Sequence, residues 1–182
     1  MQNPVVEEKR VINANPFVKA AMLPFKSVAQ YPSIKGMENV VISNGKIVNV
    51  VGENYGFLSN QDFFGGFEEK LKAEHIGFEV KYKAVNDVQF VADYFLDGEL
   101  FVGDKKRYPD TIKPKIRLQN SYDGKITLAG YFGFFRQVCS NGLHVMKDEL
   151  AFKLRRTSKN MEIVFPSMGE MLESYKRNEM VK

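Results

Sequence analysis

Cysteine, histidine and tryptophan are scarce in this sequence, and their scarcity excludes several kinds of site. The 182 residues include one cysteine, Cys139, two histidines and no tryptophan. A single cysteine cannot form a disulfide within the chain, which fits a reducing compartment. One cysteine and two histidines also supply too few ligands for a zinc site at any recognised spacing. We therefore expect neither a metal nor a cofactor.

Long hydrophobic runs are also missing. No apolar segment approaches the roughly 20 residues that a membrane-spanning helix needs. The opening residues, MQNPVVEEKR, lack the apolar stretch of a secretory signal. Hydrophobic residues make up 44% of the chain and charged residues 26%, a balance typical of a soluble globular protein. The sequence predicts a cytoplasmic protein with no membrane partner.

Motifs of the common enzyme classes are absent as well. The sequence contains no Walker A motif, no Gly-x-Gly-x-x-Gly and no Gly-x-Ser-x-Gly. His144 follows Cys139 closely, but a nucleophilic thiol also needs a third group that orients its base. Cys139 is better interpreted as a small buried residue. Asp87, Asp93 and Asp97 have no second acidic cluster that would complete a two-metal nuclease site. The sequence therefore predicts that the protein is not an enzyme.

Positive charge is concentrated in one part of the chain. The whole chain carries a net charge of +4, but residues 105–156 contain twelve Lys or Arg and four Asp or Glu, a local charge of +8. Such an asymmetry suggests a surface for a polyanion, most often nucleic acid. A solvated basic edge on an ordinary domain would give the same composition.

Turn signals divide the chain into hairpins. Residues 1–39 hold four of the seven prolines and little periodicity, so we expect an N-terminal arm of loops and turns, followed by one domain over 40–182. Asn44-Gly45 separates two β-branched runs, which predicts strands at about 39–43 and 46–51. Asn86-Asp87 likewise separates two alternating runs and predicts a second hairpin.

Two helices complete the predicted fold. Ser59 with Asp62 three residues later resembles a capping box, and Gly77 is expected to end a helix over 59–76. Phe64, Phe67 and Leu71 recur at helical spacing, so this helix should lie on a sheet. A C-terminal helix follows a strand near 150–157, and Pro166 starts or kinks it. We predict an α+β domain whose antiparallel sheet has five to seven strands, with both helices packed on it.

The segment KPKIRLQNSYDGKITLAGYFGFFRQV, residues 113–138, predicts a third hairpin with cations and aromatic rings on one face. A two-residue turn at Asp123-Gly124 places Arg117 opposite Gly130 and Lys115 opposite Phe132. Phe134 and Arg136 then share that face, while Ile116, Leu118, Ala129, Tyr131 and Phe135 occupy the other. Such a mixed face suits single-stranded nucleic acid, because phosphates pair with cations and bases stack on rings. Gly130 and Gly133 would let a ligand approach the backbone.

Two alternatives to this interpretation of the hairpin stay open. Phe132 and Phe134 would be core residues if the 59–76 helix covers them, with Lys115 and Arg117 at the edge of that core. A three-residue turn with a bulge would shift the register and exchange the faces of one strand.

Two stretches, VGENYGFLSNQDFFGGFEEKL and IRLQNSYDGKITLAGYFGFFRQVCSNGL, resemble phage/plasmid-like proteins grouped as a domain of unknown function. The resemblance spans roughly residues 50–178, and its positions are Tyr55, Asn60-Gln61, Asn120, Asp123-Gly124, Val138-Cys139 and Asn141. It implies a bacterial mobile element or virus and action in the host cytoplasm, but supplies no catalytic residues. The order of elements is also similar to that of phage single-strand annealing proteins, a likeness of fold that does not fix function.

Together these observations predict a non-enzymatic protein that binds or anneals single-stranded DNA or another polyanion and forms a homo-oligomer. The predicted nucleic-acid-binding residues are Lys105, Lys106, Arg107, Lys115, Arg117, Phe132, Phe134, Arg136, Arg155 and Arg156. A viral factor that binds a host protein through the same surface is the alternative, and a virion subunit is a second one.

Overall fold

A computed structural model of the chain describes residues 15–30, 34–98, 100–102, 110–137 and 144–180, with side chains in 15–30, 34–98, 112–135 and 150–177. The described residues form two antiparallel sheets. The smaller sheet has the order β1-β2-β3, with strands Ala20–Pro24, Asn39–Ser43 and Lys46–Val51. The larger has the order β4-β5-β7-β8-β9, with β6 paired to β7, and its strands are Phe78–Val85, Gln89–Leu96, Leu100–Val102, Asp110–Ser121, Leu128–Gln137 and His144–Leu154.

The helical segments follow β1, β3 and β9 along the chain. They are a 3-10 turn at Phe25–Ser27, a π-helical turn at Gln61–Gly65 that continues into α1 at Gly66–Ala73, α2 at Ser158–Met161 and α3 at Val164–Met180. The predicted α+β class, with a C-terminal helix, is confirmed.

A strand lies where the sequence analysis predicts an arm of loops and turns. Ala20–Pro24 pairs with β2 in register from Ala20 with Ser43 to Pro24 with Asn39. Phe17, Val18 and Met22 pack against the core next to it. The prediction was therefore wrong for this segment, because β2 offers an edge that the arm completes. A domain boundary at residue 39 stays a prediction.

The two short hairpin turns were predicted correctly. Asn44 and Gly45 have φ of 49° and 77°, the positive values that a two-residue turn between twisted strands requires. Asn86 and Asp87 have φ of 53° and 57° between β4 and β5. Asparagine and aspartate tolerate this region better than other residues with a side chain, which is why the sequence marks these turns.

The helix predicted over 59–76 begins as expected but is less regular. The Ser59 hydroxyl accepts a hydrogen bond from the backbone N–H of Asp62 at 3.1 Å, as a cap does. The chain then makes a π-helical turn before α1, and α1 ends at Ala73 rather than at Gly77. His75, with φ of 56°, takes the left-handed conformation that follows the helix.

The helices cover one face of the larger sheet and form the core with it. From α1 and its π-helical turn, the rings of Phe64 and Phe67 are fully buried, and Phe67 meets Tyr94 of β5 edge to face at 4.9 Å. From α3, Met168, Leu172 and Tyr175 enter the same core. The Tyr175 ring lies 6.5 Å from that of Phe132 on β8. We call this the covered face; the opposite face of the sheet carries the charged side chains described below.

The register between β7 and β8 differs by one residue from the predicted one. Arg117 pairs with Tyr131 and Lys115 with Gly133, whereas Ile116 pairs with Phe132. The faces of β8 are therefore exchanged relative to β7, as in the alternative with a three-residue turn, although the connection itself is longer than three residues. Phe132 lies on the covered face, and Tyr131 lies on the face of the cations.

The loop between these strands explains the shift. Residues 122–127 form a loop of six residues instead of a two-residue turn, with Gly124 at φ of 73°. The Ser121 hydroxyl closes its base by donating to the carbonyl of Ile126 at 3.0 Å and accepting from the N–H of that residue at 3.2 Å. The carboxylate of Asp123 accepts from the N–H of Lys125 at 3.0 Å. Side-chain hydrogen bonds thus set the turn length, and periodicity does not report them.

Gly130 makes room for a core ring and not for a ligand. A Cβ at this position would lie 2.4 Å from Cε1 of Phe152, which pairs with Gly130 across the sheet. The prediction that Gly130 lets a ligand approach the backbone was therefore wrong.

We expect Gly130→Ala to lower the free energy of unfolding by about 1–3 kcal/mol, because the added methyl overpacks the contact with Phe152. Gly65→Ala is the matched control, since Gly65 has φ of −63° and open space around its Cβ position. That substitution should be neutral or stabilising by up to about 1 kcal/mol. Urea denaturation of both variants tests this, and equal effects would contradict the assigned contact.

Candidate functional site

The face of the larger sheet opposite the helices is rich in cations and contains aromatic rings. Strand pairing places alternate residues of β4, β5, β7, β8 and β9 together on it. Its charged and aromatic side chains are Glu79, Lys81, Lys83, Asp93, Phe95, Lys113, Lys115, Arg117, Tyr131, Phe135 and Lys153. We call this set the basic face. Among these described side chains six are basic and two acidic, a net charge of +4.

A buried ion cluster lies at the centre of the basic face. The Asp93 carboxylate, 5% exposed, accepts from Nε of Arg117 at 2.7 Å and from Nη2 at 3.0 Å. Nζ of Lys115 lies 3.4 Å from the same carboxylate and 5.3 Å from the ring centres of both Phe95 and Phe135. Lys115 is thus held between one anion and two rings.

The environment of this cluster changes the pKa of both buried groups. Burial lowers the pKa of Lys115 and outweighs the opposing effect of the Asp93 charge. Burial alone would raise the pKa of Asp93, but hydrogen bonds from Arg117 and the charges of Arg117 and Lys115 lower it. Lys115 was predicted to hold a phosphate; in the structure it is 5% exposed and neutralises a carboxylate of its own chain.

Exposed lysines surround this cluster and lie over aromatic rings. Nζ of Lys81 is 5.4 Å from the centre of the Phe95 ring, and Nζ of Lys153 is 5.8 Å from that of Tyr131. Lys83 is exposed on the same face, next to Lys81 on β4. Phe95 and Tyr131 are partly exposed. The predicted mixture of cations and rings therefore exists, with different rings from those predicted.

The predicted stacking residues lie on the wrong face for that role. Phe132 is fully buried against Tyr175 and Phe134, so the prediction that it stacks on bases was wrong. Phe134 is partly buried and packs against the same core. Both follow from the register shift, which turns these rings toward α3. The alternative that places these rings in the core fits Phe132, but Tyr175 of α3 covers that ring instead of the 59–76 helix, and Lys115 and Arg117 lie on the opposite face.

The other predicted cations are dispersed. Arg117 lies on the basic face and holds Asp93, whereas Arg155 is exposed and Arg156 is largely buried beyond the end of β9. Arg136 lies in β8, but its side chain is outside the described residues, as are Lys105, Lys106 and Arg107.

A second polar cluster lies at the end of the sheet where β7 and β9 finish. The Asn120 amide is fully buried and donates to the carbonyl of Leu58 at 2.9 Å and to Oδ1 of Asn60 at 2.8 Å. Its oxygen accepts a hydrogen bond from Nη2 of Arg156. The N–H of Asn60 donates to the Tyr122 hydroxyl at 2.8 Å, and burial raises the pKa of that tyrosine to about 12. We call Asn60, Asn120, Tyr122 and Arg156 the polar network.

Arg156 is fixed by close approach of two segments. The N–H of Gly56 donates to the carbonyl of Arg156 at 3.0 Å, and Tyr55 forms an isolated β-bridge with Thr157. A Cβ on Gly56 would lie 2.5 Å from the carbonyl oxygen of Thr157, so only glycine permits this approach. The backbone on both sides of the guanidinium is thereby held in place.

A cavity of about 500 Å³ adjoins the polar network, and Arg156 forms part of its wall. Lys35, Glu38, Glu53, Asn54 and Tyr55 also line it. Nε and Nη1 of Arg156 are buried and have no hydrogen-bond partner among the described residues, and the same is true of Oε2 of Glu38. Burial lowers the pKa of Arg156, against the opposing charges of Tyr55, Tyr122 and Asp123. Since an arginine keeps its proton in proteins, the cavity has a cationic wall.

Several residues of the polar network and the cavity were singled out from the sequence, but the sequence did not predict that they contact one another. Tyr55, Asn60 and Asn120 carry the family resemblance, and Arg156 was predicted as a weak phosphate contact. The available signal was their polarity: asparagines inside apolar runs are expensive to bury unless they are hydrogen-bonded. That signal predicts a network but does not say which residues form it.

The described side chains include no group of three or more His, Cys, Asp or Glu arranged to hold a metal ion. Within the described part of the chain, no helix combines the length and the apolar character needed to cross a bilayer. A family model described as a domain of unknown function, DUF932, matches residues 47–179. No curated protein and no solved structure matches the chain.

Proposed function

We propose that this chain, which belongs to the DUF932 family, a domain of unknown function, is a non-enzymatic protein that binds single-stranded nucleic acid on its basic face. The observation that carries the proposal is the arrangement of exposed Lys81, Lys83 and Lys153 around the partly exposed rings of Phe95 and Tyr131. Single-strand binding proteins combine such cations for phosphates with rings on which bases stack.

The charge of the face supports a polyanion as its ligand. Asp93 is neutralised within the ion cluster by Lys115 and Arg117, so the remaining lysines of the face keep a positive potential toward solvent. A surface of this kind attracts phosphates without regard to sequence, because each bound phosphate releases counterions.

The setting of the proposal follows from the sequence resemblance. We propose that the protein acts in the cytoplasm of a bacterium that carries a phage or plasmid, where a homo-oligomer would anneal complementary strands. A basic sheet face repeated around an oligomer would hold an extended strand.

Anisotropy of a labelled single-stranded oligonucleotide, measured from about 50 to 200 mM salt, tests the proposal. We expect binding whose logarithm falls linearly with the logarithm of salt concentration. Lys81→Ala/Lys83→Ala/Lys153→Ala should weaken it about tenfold or more and reduce the slope by about 2, because each lost phosphate contact on a single strand removes about 0.7. The matched control is Lys26→Ala/Lys72→Ala/Lys159→Ala, which removes three exposed lysines from other surfaces.

Tyr131→Leu separates stacking from charge in the same experiment. Losing one stacked base should cost about 1–3 kcal/mol at every salt concentration without a change in slope. Equal losses in the two lysine variants would mean that net charge, and not this face, holds the strand. Absence of binding at the lowest salt concentration would reject the proposal. Binding of the wild-type protein to an acidic host protein would then be the function to test.

A further inference from the structure

We propose that the cavity beside the polar network is a second binding site, which takes a phosphate monoester of the size of a nucleotide. The inference goes beyond the proposed function, because the cavity is lined by residues 35–38 before β2, by residues 52–55 after β3 and by Arg156 rather than by the basic face. It does not depend on strand binding, because the ligand of the cavity could be a free nucleotide or the phosphorylated end of a strand.

The charge of Arg156 is the first step in the argument. Its side chain forms no ion pair with a carboxylate among the described residues, and its hydrogen-bond acceptor there is the neutral amide of Asn120. A guanidinium buried without a compensating anion is costly, whereas the same group beside an anionic ligand is stabilised. A protein that keeps such a residue at the wall of a cavity is adapted to an anion there.

The unpartnered atoms define the chemistry of that anion more closely. Nε and Nη1 of Arg156 carry charged N–H donors without a partner among the described residues, and phosphate oxygens are frequent acceptors of such donors. Lys35 adds a second cation to the lining. Small adjustments of the arginine side chain, which is partly exposed, would present these donors to the cavity.

Glu38 restricts the rest of the ligand. The N–H of Gly36 donates to Oε1 of Glu38 at 2.9 Å and is the main reason that the pKa of this carboxyl is lowered, so Glu38 is an anion. Its Oε2 has no donor among the described residues. With Glu53 also in the lining, the acids balance the cations, which disfavours a bare polyanion. A nucleotide has one phosphate that can accept from Arg156, and O–H or N–H groups elsewhere that can donate to Oε2 of Glu38.

The size and aromatic content of the cavity agree with this class. A volume of about 500 Å³ exceeds what inorganic phosphate needs and lies within the range of small-molecule sites, which is about 300–1,000 Å³. Tyr55 forms part of the lining and offers a ring for a base or sugar.

Isothermal titration calorimetry with adenosine 5′-monophosphate, adenosine and inorganic phosphate at constant ionic strength tests the site. We expect saturable one-to-one binding of the monophosphate, with adenosine and inorganic phosphate each at least tenfold weaker. Arg156→Gln should abolish binding. Because that variant also perturbs the polar network, Lys35→Ala serves as the second variant: Lys35 is exposed, so its loss should weaken binding severalfold without unfolding. Lys46→Ala, at the exposed first residue of β3, is its matched control.

Paired oligonucleotides with a 5′-phosphate or a 5′-hydroxyl distinguish the two sources of the ligand. A preference for the phosphorylated strand that Lys35→Ala removes would identify a strand end; binding of the monophosphate without that preference would identify a free nucleotide. Equal affinity for monophosphate and adenosine, or unchanged affinity in folded Lys35→Ala and Arg156→Gln, would overturn the proposal. The absence of saturable binding up to about 10 mM monophosphate would also overturn it. If the Lys81→Ala/Lys83→Ala/Lys153→Ala variant loses strand binding, its affinity for adenosine 5′-monophosphate should be unchanged. Failure of the proposed function and failure of this site therefore give different results.

Discussion

Replacing Asp93 with asparagine is expected to lower the free energy of unfolding by about 3–5 kcal/mol, the typical cost of leaving one partner of a buried ion pair uncompensated. Asp93 is 3% exposed and is the carboxylate that faces both Lys115 and Arg117. Its removal leaves the buried ammonium of Lys115 beside a second cation. Chemical denaturation of the variant gives the value directly.

Two controls separate this effect from general loss of charge. Glu79→Gln removes an acid from an exposed position of the same face and should change stability by less than about 0.5 kcal/mol. Asp93→Asn combined with Lys115→Met removes both charges, and it should recover part of the loss because no buried charge stays unpaired. A double variant less stable than Asp93→Asn alone would show that Lys115 does not depend on Asp93.

The stabilisation that the Asp93 carboxylate provides should depend on pH. Because its pKa is lowered in the folded state, its contribution is complete above the unfolded value of about 3.9 and is lost as pH falls through the folded value. The gap in stability between the wild-type protein and Asp93→Asn should therefore be largest near neutral pH and should narrow as the pH falls below about 4. A constant gap across this range would assign the cost of the substitution to packing.

Replacing Asn120 with leucine is expected to cost about 3 kcal/mol or more. The substitution leaves the carbonyl of Leu58, Oδ1 of Asn60 and Nη2 of Arg156 without their present partner, and a buried unsatisfied group costs about 1–3 kcal/mol, more when it is charged. Thermal denaturation, supported by calorimetric enthalpies, measures the loss.

The neighbouring Gln119 provides the comparison for Asn120. It lies on the same strand but on the opposite face, is partly exposed, and donates to the carbonyl of Thr127 at 3.0 Å. Gln119→Leu should therefore cost no more than about 1 kcal/mol. If both variants lose the same amount, the polar network contributes nothing beyond an ordinary surface hydrogen bond.

Local signals in the sequence were sufficient for most of the fold. Asn44-Gly45 and Asn86-Asp87 mark turns by residue types that accept positive φ, and both turns occur. Phe64, Phe67 and Leu71 mark the buried side of a helix by their spacing, and all three are fully buried. In each case the cause acts within a few residues, so a single segment contains the information.

The register of the β7–β8 hairpin could not be predicted in the same way. Asp123-Gly124 is a strong two-residue turn signal, yet Ser121, Ile126 and the buried Tyr122 organise a longer loop. Tyr122 is held by Asn60, a residue far away in the sequence. Since strand faces alternate with every residue, this single change moved Phe132 and Phe134 to the core.

The sequence predicts which kinds of residue form the candidate sites but does not predict which particular residues come together in them. A face with cations and rings was expected and exists, but Tyr131 and Phe95 provide the rings, and Phe95 comes from a different hairpin. The cavity beside Arg156 combines segments near residues 35, 55 and 156. Contacts between such segments depend on how the two sheets pack, and no short-range pattern contains that information.

The position of β4 at the edge of the larger sheet has a consequence for the behaviour of the protein in solution. An edge strand offers unpaired backbone groups to another chain, and lysines along it are a common protection against such pairing. Lys81 and Lys83 therefore oppose pairing of two copies through this edge as well as charging the sheet, so substituting them risks aggregation. Light scattering of the triple lysine variant shows whether a loss of strand binding reflects missing cations or a protein that has begun to pair through its exposed edge.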